Sequence, residues 1–381
     1  MSDAIREFQI DIPSSVLEDL DARLAMTRYP EKEPVDDWSQ GIPLEYVQDI
    51  ATHWRSSYDW KACEARLNQY PHHMTEISGV DIHFMHIRSP EPDARPLIMT
   101  HGWPGSIVEF LDVIGPLTNP VAHGADSKDA YHLVIPSLPG YGFSGKPAET
   151  GWNAEKIAET WNVLMKRLGY DRYFAQGGDW GALVTSAIGV QNLGACAGIH
   201  INLVVVGAPP PEVMQSPTPE EQASLVHFAG YQTEGSGYAE IQKTKPQTLG
   251  YGLADSPVGQ MAWIMEKFQG WSDGARSPDD SFDRDRLLDN VMIYWLNNAG
   301  ASSARLYRES FGNPNVDPVT MPAGCSIFPN EIMTPSRRWA EHRFKNLQYW
   351  GEPDRGGHFA ALEVPELFLS EVRSCFGQME L

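Results

Sequence analysis

Apolar residues recur along this chain in two periods, and the alternation between them sets the expected architecture. Near the N-terminus Val16, Leu17, Leu20 and Leu24 fall at helical intervals, and Ser15 and Glu18 have capping-box spacing, so a helix is predicted over 15–25. Tyr46, Val47, Ile50 and Trp54 predict a second helix over 44–68. From 73 to 88 the period shortens to two around Gly79, as expected of a strand pair, and 96–100 is a short apolar run ending in HGWPGS. Further apolar runs at 131–135, 173–175, 199–203, 323–328 and 347–350 are separated in most cases by helical patterns. This alternation predicts an α/β fold with a mainly parallel, doubly wound sheet.

The interval from about 206 to 312 breaks the rhythm. It opens on Pro209-Pro210-Pro211, is rich in Tyr and Trp and reads as helices joined by long loops, which predicts an inserted helical cap. Trp263, Trp271 and Trp295 in it are of a kind that more often fills a helical core than a site, so only some of its aromatic residues are expected to face a substrate. The expected division is 1–92 for N-terminal helices and first strands, 93–205 for the first part of the core, 206–312 for the cap and 313–381 for the second part of the core.

With 381 residues, 42% of them hydrophobic, the chain can bury a large core. A formal charge of −21 argues against nucleic acid or an anionic membrane as a partner. Cys63, Cys196, Cys325 and Cys375 are scattered, with neither metal-ligand spacing nor the density of a disulfide scaffold, which fits a reducing cytoplasm. The opening MSDAIREFQIDIP lacks a basic segment followed by an apolar core, and no run approaches the roughly 18 apolar residues of a membrane span. Neither targeting nor an anchor is expected.

Candidate chemistry centres on FAQGGDWGALV. A short strand over 172–176, a tight turn over 177–181 and an apolar helix from 182 give the strand-turn-helix order of a nucleophile elbow, with Asp179 where Gly-x-Ser-x-Gly enzymes carry serine. Taken alone, the same residues could be a glycine-rich turn whose Asp179 caps the helix. In GGHFAALEVPE, His358 lies where an α/β-hydrolase carries its catalytic histidine, and Glu331 in CSIFPNEIMTP follows an expected strand, giving the order nucleophile, acid, base. Asp354 is the rival orienting group; Glu331 is favoured because the carboxylate should stand on a strand end that reaches the far edge of the imidazole. HGWPGS occupies the position of the loop that donates an N–H to an oxyanion hole, which would make Trp103 and Trp180 the two donors. It also reads as a tight turn with a cis bond before Pro104.

Together HGWPGS, GGDWG, the ESFG-like sequence after Arg305-Leu306-Tyr307, FPNE and RGGHFAA resemble the microsomal-type epoxide hydrolases. The likeness runs from FQIDIPSSVLEDLDARLAMTRYP, similar to that family's N-terminal meander, to the final helix. No counterpart of the membrane anchor that precedes this region in the family's animal members is expected, so the chain is taken to resemble the soluble microbial members. The resemblance implies an α/β-hydrolase fold, Asp179 as nucleophile, Glu331 as orienting acid and His358 as base. EGSGYAEIQ and SSARLYRESFG match the family's two cap tyrosines, Tyr238 and Tyr307. The implied partners are a small-molecule epoxide and water, with no cofactor and no metal; whether the chain forms a homo-oligomer is left open.

The chemistry agrees with these residue types. A strained epoxide carbon is opened by backside displacement, for which a carboxylate needs no activating base, and the resulting ester can be hydrolysed through an oxyanion, whereas serine would give an inert ether. Phenols, neutral at pH 7 with a pKa near ~10, can donate to the leaving oxygen. A haloalkane dehalogenase would use the same Asp nucleophile but bind a halide, and the paired tyrosines weigh against it. A serine esterase would need serine at 179, and Ser106 and Ser144 lack the elbow frame. A non-catalytic binding protein of this fold would be expected to have lost a catalytic group.

Overall fold

The computed structural model describes residues 3–274, 276–312 and 315–381, so the first two residues of the expected N-terminal segment and the boundary at 313 lie outside the described residues. Among the described residues nine strands form one sheet: β1 (Arg6–Phe8), β2 (His72–Ile77), β3 (Val80–Ile87), β4 (Arg95–Thr100), β5 (Tyr131–Pro136), β6 (Tyr173–Gly177), β7 (Cys196–Ile201), β8 (Ala323–Ser326) and β9 (Leu347–Gly351). Their order is β1-β2-β3-β5-β4-β6-β7-β8-β9. The first three strands and the β3–β5 pair are antiparallel, and all pairs beyond are parallel. The parallel strands β6 and β7 are buried throughout, as a sheet covered on both faces requires.

The N-terminal helices are α1 (Ser14–Ala25), α2 (Leu44–Ser56) and α3 (Trp60–Leu67). Two expectations change here. Pro13, not Ser15, stands at the N-cap of α1 and no side chain caps it, so the capping box does not form. The single helix expected over 44–68 is two, because Asp59 accepts the Lys61 N–H and starts a new helix. Strand β1 escaped the sequence pattern because it is only three residues long, and β7 begins at Cys196 rather than 199 because Cys196, Ala197 and Gly198 are small residues that pack wholly inside.

Helices α4 (Leu111–Thr118), α5 (Ala154–Arg167) and α6 (Trp180–Gln191) follow β4, β5 and β6. Because β5 lies on one side of β4 and β6 on the other, the winding reverses at β4, and the ends of β4 and β6 meet where Thr100 pairs with Gly177. That is the switch point at which open parallel sheets bind ligands. Between β7 and β8 the chain makes α7 (Pro211–Gln215), α8 (Pro219–Gly230), α9 (Gly237–Thr244), α10 (Pro246–Asp255), α11 (Pro257–Gly270), α12 (Arg284–Leu296) and α13 (Gly300–Ser310), the inserted helical cap. Helices α14 (Arg337–Ala340), α15 (Ala360–Glu363) and α16 (Pro365–Phe376) complete the chain.

The N-terminal helices brace the cap. Buried Asp289 on α12 accepts the Tyr58 hydroxyl at 2.9 Å and pairs with Arg66, while the Tyr46 hydroxyl donates to Asp279 at 3.0 Å. Removing one partner would strand the buried Asp289 charge, so the bracing is specific. Among the described residues no helix is long and apolar enough to cross a membrane.

Candidate active site

The elbow between β6 and α6 holds Asp179 at φ 49° and ψ −127°, a left-handed conformation that an L-residue adopts at a cost of order 1–3 kcal/mol. The turn closes only because its flanks lack side chains: a Cβ on Gly177 would lie 2.1 Å from the Gly181 carbonyl oxygen, and one on Gly181 would lie 1.9 Å from the Thr100 carbonyl oxygen. The Asp179 side chain makes no capping bond to α6, so the simple capping alternative fails. Its carboxylate turns instead to two other loops. Oδ1 accepts the Trp103 N–H at 2.6 Å, and Oδ2 lies 3.1 Å from His358 Nε2.

His358 Nδ1 lies 2.6 Å from Glu331 Oε1, which also accepts the Ile332 N–H at 2.7 Å. An isolated parallel bridge between Asn330 and Gly357 sets these neighbours side by side, and the His358 N–H donates to the Trp271 carbonyl at 2.9 Å. Asp354, the rival orienting group, is exposed to solvent. Burial alone would lower the His358 pKa, but Glu331 and Asp179 on its two sides prevail and raise it to about 10. Asp179 and Glu331 thus hold a proton on His358 more firmly than a free imidazole holds one.

The HGWPGS loop carries the Trp103–Pro104 bond in cis. Helix α12 fixes it from the cap side: Asn290 Nδ2 donates to the Pro104 carbonyl and the Tyr294 hydroxyl to the Gly105 carbonyl, both at 2.7 Å. Trp180 is the first residue of α6 and sets its ring edge-on to Tyr307, with centroids 4.7 Å apart. Ser106 and Ser144 serve backbone turns, Ser106 Oγ accepting the Val108 N–H and Ser144 Oγ donating to the Ser137 carbonyl.

The cap places Tyr238 on α9 and Tyr307 on α13 over this floor, ring centroids 5.8 Å apart and nearly perpendicular. Trp103 stacks on Tyr238 at 5.0 Å. Burial raises both phenols well above their ordinary pKa, so both stay protonated. Asp179, Tyr238 and Tyr307 line a cavity of about 400 Å³ whose other walls include Leu183, Leu203, Phe228, Phe311 and Met333. On another side Asp179 and His358 border a recess of about 20 Å³, room for a single water, with His101, Gln176, Asn202 and Glu109 around it. Burial pushes the Glu109 carboxyl up to about 8.

All seven residues singled out in the sequence thus meet in one place. Four further residues take part in the surroundings. Trp271, weighed as a core residue, packs against His358 at 4.9 Å. Glu109 sits inside an apolar run and carries no motif of its own. Tyr231 places its hydroxyl 3.0 Å from that of Tyr238, and Lys267 Nζ stands over the Tyr238 ring, 4.5 Å from its centroid. Trp263 and Trp295 lie farther out, Trp263 donating to Gln242 and Trp295 packing under Arg23. All four cysteines are free and buried, and among the described residues no group of three or more His, Cys, Asp or Glu is placed to hold a metal ion.

Residues 5–110 match the family model for the epoxide hydrolase N terminus, and 95–253 that for the alpha/beta hydrolase fold. Over 378 residues the chain is 50% identical to a putative epoxide hydrolase of Stigmatella aurantiaca, covering 98% of this chain and 85% of that protein. The chain belongs to the epoxide hydrolase family. Epoxide hydrolase 1 of Sus scrofa is 33% identical over 413 residues, covering 99% of this chain and 90% of that one. The structure of Aspergillus niger epoxide hydrolase superposes with a TM-score of 0.90 at 32% identity, covering 99% of this chain and 97% of that one. The epoxide hydrolase family is one of hydrolytic enzymes, and this chain has the α/β-hydrolase fold.

Proposed function

We propose that this epoxide hydrolase opens a small, largely apolar epoxide to a vicinal diol through a covalent glycol ester on Asp179. One observation carries the reading: a carboxylate held between a backbone N–H and an imidazole faces an apolar cavity that also presents the phenols of Tyr238 and Tyr307. Oδ1, held by the Trp103 N–H, becomes the carbonyl oxygen of the ester, and Oδ2, on the His358 side, is the attacking oxygen. Tyr238 and Tyr307 donate to the epoxide oxygen as the ring opens.

In the second half-reaction His358, oriented by Glu331, takes a proton from water, and the Trp103 and Trp180 amides bear the charge that develops on the ester oxygen. Ester formation removes one of the two anions that hold the proton on His358, so its pKa falls and the base is freed when water must be activated. The water-sized recess beside Asp179 and His358 gives that water a place. The division at 1–92, 93–205, 206–312 and 313–381 is proposed with it: a meander bracing a cap, and a two-part core supplying the floor.

A single turnover with excess enzyme in oxygen-18 water tests the ester. The expected diol is largely unlabelled while the Asp179 peptide gains the heavy isotope. Immediate labelling of the diol with a light peptide would mean that water attacks the epoxide directly.

A further inference from the structure

Tyr238 has company that the ring-opening scheme does not use. Its hydroxyl lies 3.0 Å from that of Tyr231, a half-buried residue that lines the same apolar cavity. Tyr231 opens a π-helical turn, Tyr231–Gly235, which continues α8; such widened turns are rare and concentrate at functional sites. Lys267 on α11, itself buried and ion-paired with the more exposed Glu266, sets its ammonium 4.5 Å from the Tyr238 ring centroid. Tyr307 has a different setting, edge-on to the rings of Trp103 and Trp180.

A phenol carries one hydrogen and two acceptor sites. In a pair of hydroxyls one donates and the other accepts, so a Tyr238 that donates to Tyr231 has no proton left for a substrate. The pair is useful for ring opening only in the opposite sense, with Tyr231 donating. The cation over the ring then favours negative charge on Tyr238 in a water-poor site, where both effects are stronger than in water.

We propose that Tyr231 is a positioning residue for ring opening: it donates to the Tyr238 oxygen, directs the Tyr238 proton at the epoxide oxygen and, with the Lys267 ammonium, stabilises the phenolate left behind. This rests on the ester mechanism proposed above and makes the two cap tyrosines unequal. As Asp179 Oδ2 bonds to carbon, the ring C–O electron pair passes to oxygen, which takes the Tyr238 proton. The proton that His358 gives up once the ester has replaced the Asp179 carboxylate reprotonates the phenolate, and the proton that ester hydrolysis releases returns to His358. One epoxide and one water then give one diol.

The test is a double-mutant cycle on single-turnover ester formation, with styrene oxide, in the wild type, Tyr231→Phe, Tyr238→Phe and the double variant. Tyr231→Phe is expected to slow ester formation roughly tenfold, the worth of one hydrogen bond, and to leave ester hydrolysis unchanged. In the Tyr238→Phe background the same change should add nothing. Lys267→Met should behave likewise, a second route to the answer that leaves both phenols in place. Additive losses would mean that Tyr231 acts by packing or touches the substrate itself, and would overturn the inference. An unchanged rate in Tyr231→Phe would do so too. Equal rates in the wild type and Tyr238→Phe would instead remove the protonation scheme on which it stands.

Discussion

Asp179 lies between two spaces that differ in size and in the polar groups they offer. The one under the cap holds about 400 Å³, is walled largely by leucine, phenylalanine and methionine, and offers three phenols and Gln232 beside the carboxylate. The recess beside His358 holds about 20 Å³ and adds the polar edges of His101, Gln176, Asn202 and Glu109 to the apolar Phe110, Phe359 and Phe368. An apolar epoxide gains by leaving water for the first, and a water finds partners in the second. One carboxylate can thus meet its two reactants from different directions. On the mechanism we propose, the cap serves ester formation and the core ester hydrolysis, and the contrast can be broken at either side.

The largest effect is expected on the core side. His358→Gln should slow ester hydrolysis by a factor on the order of a thousand while leaving ester formation in place. An adduct of the epoxide's mass should then accumulate on the Asp179 peptide, seen by mass spectrometry. A folded, substrate-binding variant that never forms the adduct would show that the two sides are not separable. On the cap side Tyr238→Phe and Tyr307→Phe should each slow ester formation, the pair by roughly a hundredfold or more, as expected on losing donors to a developing oxyanion. Stopped-flow measurement of a pair as fast as the wild type would reduce both residues to packing.

A smaller effect sharpens the description of the recess. Glu109 titrates at about 8 in the folded protein against an ordinary 4.5, so the folded state binds a proton between these values that the unfolded state has lost. Stability therefore falls as pH rises through that window and levels off above it. Glu109→Gln, which mimics the protonated acid, should remove this slope, and the melting temperature of the variant relative to the wild type should climb from pH 5 to pH 9. Parallel curves would mean that the carboxyl is not held neutral.

The core side was far more legible in the sequence than the cap side, for a physical reason. Asp179, Glu331 and His358 each follow a short apolar strand and sit among turn residues, so local pattern and chain order suffice to bring them together at one sheet edge. The cap has no such rule. Tyr238 and Tyr307 were found through family resemblance, and the partnership of Tyr231 with Tyr238 depends on a π-helical turn that no hydrophobic period announces. Glu109 lies in the apolar run IVEF, where its place beside the site depends on how the loop folds back. The break at Asp59 was hidden because apolar residues continue on both sides of it.

The left-handed backbone at Asp179 has a consequence for how such a protein changes under selection. At φ 49° a glycine is at ease and an alanine is not, so Asp179→Gly should be more stable than Asp179→Ala by about 1 kcal/mol, the reverse of their order in a helix, as thermal or denaturant unfolding would read. Equal stability would mean that the turn relaxes once the carboxylate is gone. A library screened only for abundance would therefore be drawn towards glycine at this position, giving up turnover for yield. Laboratory evolution of this enzyme for expression needs an activity gate from its first round.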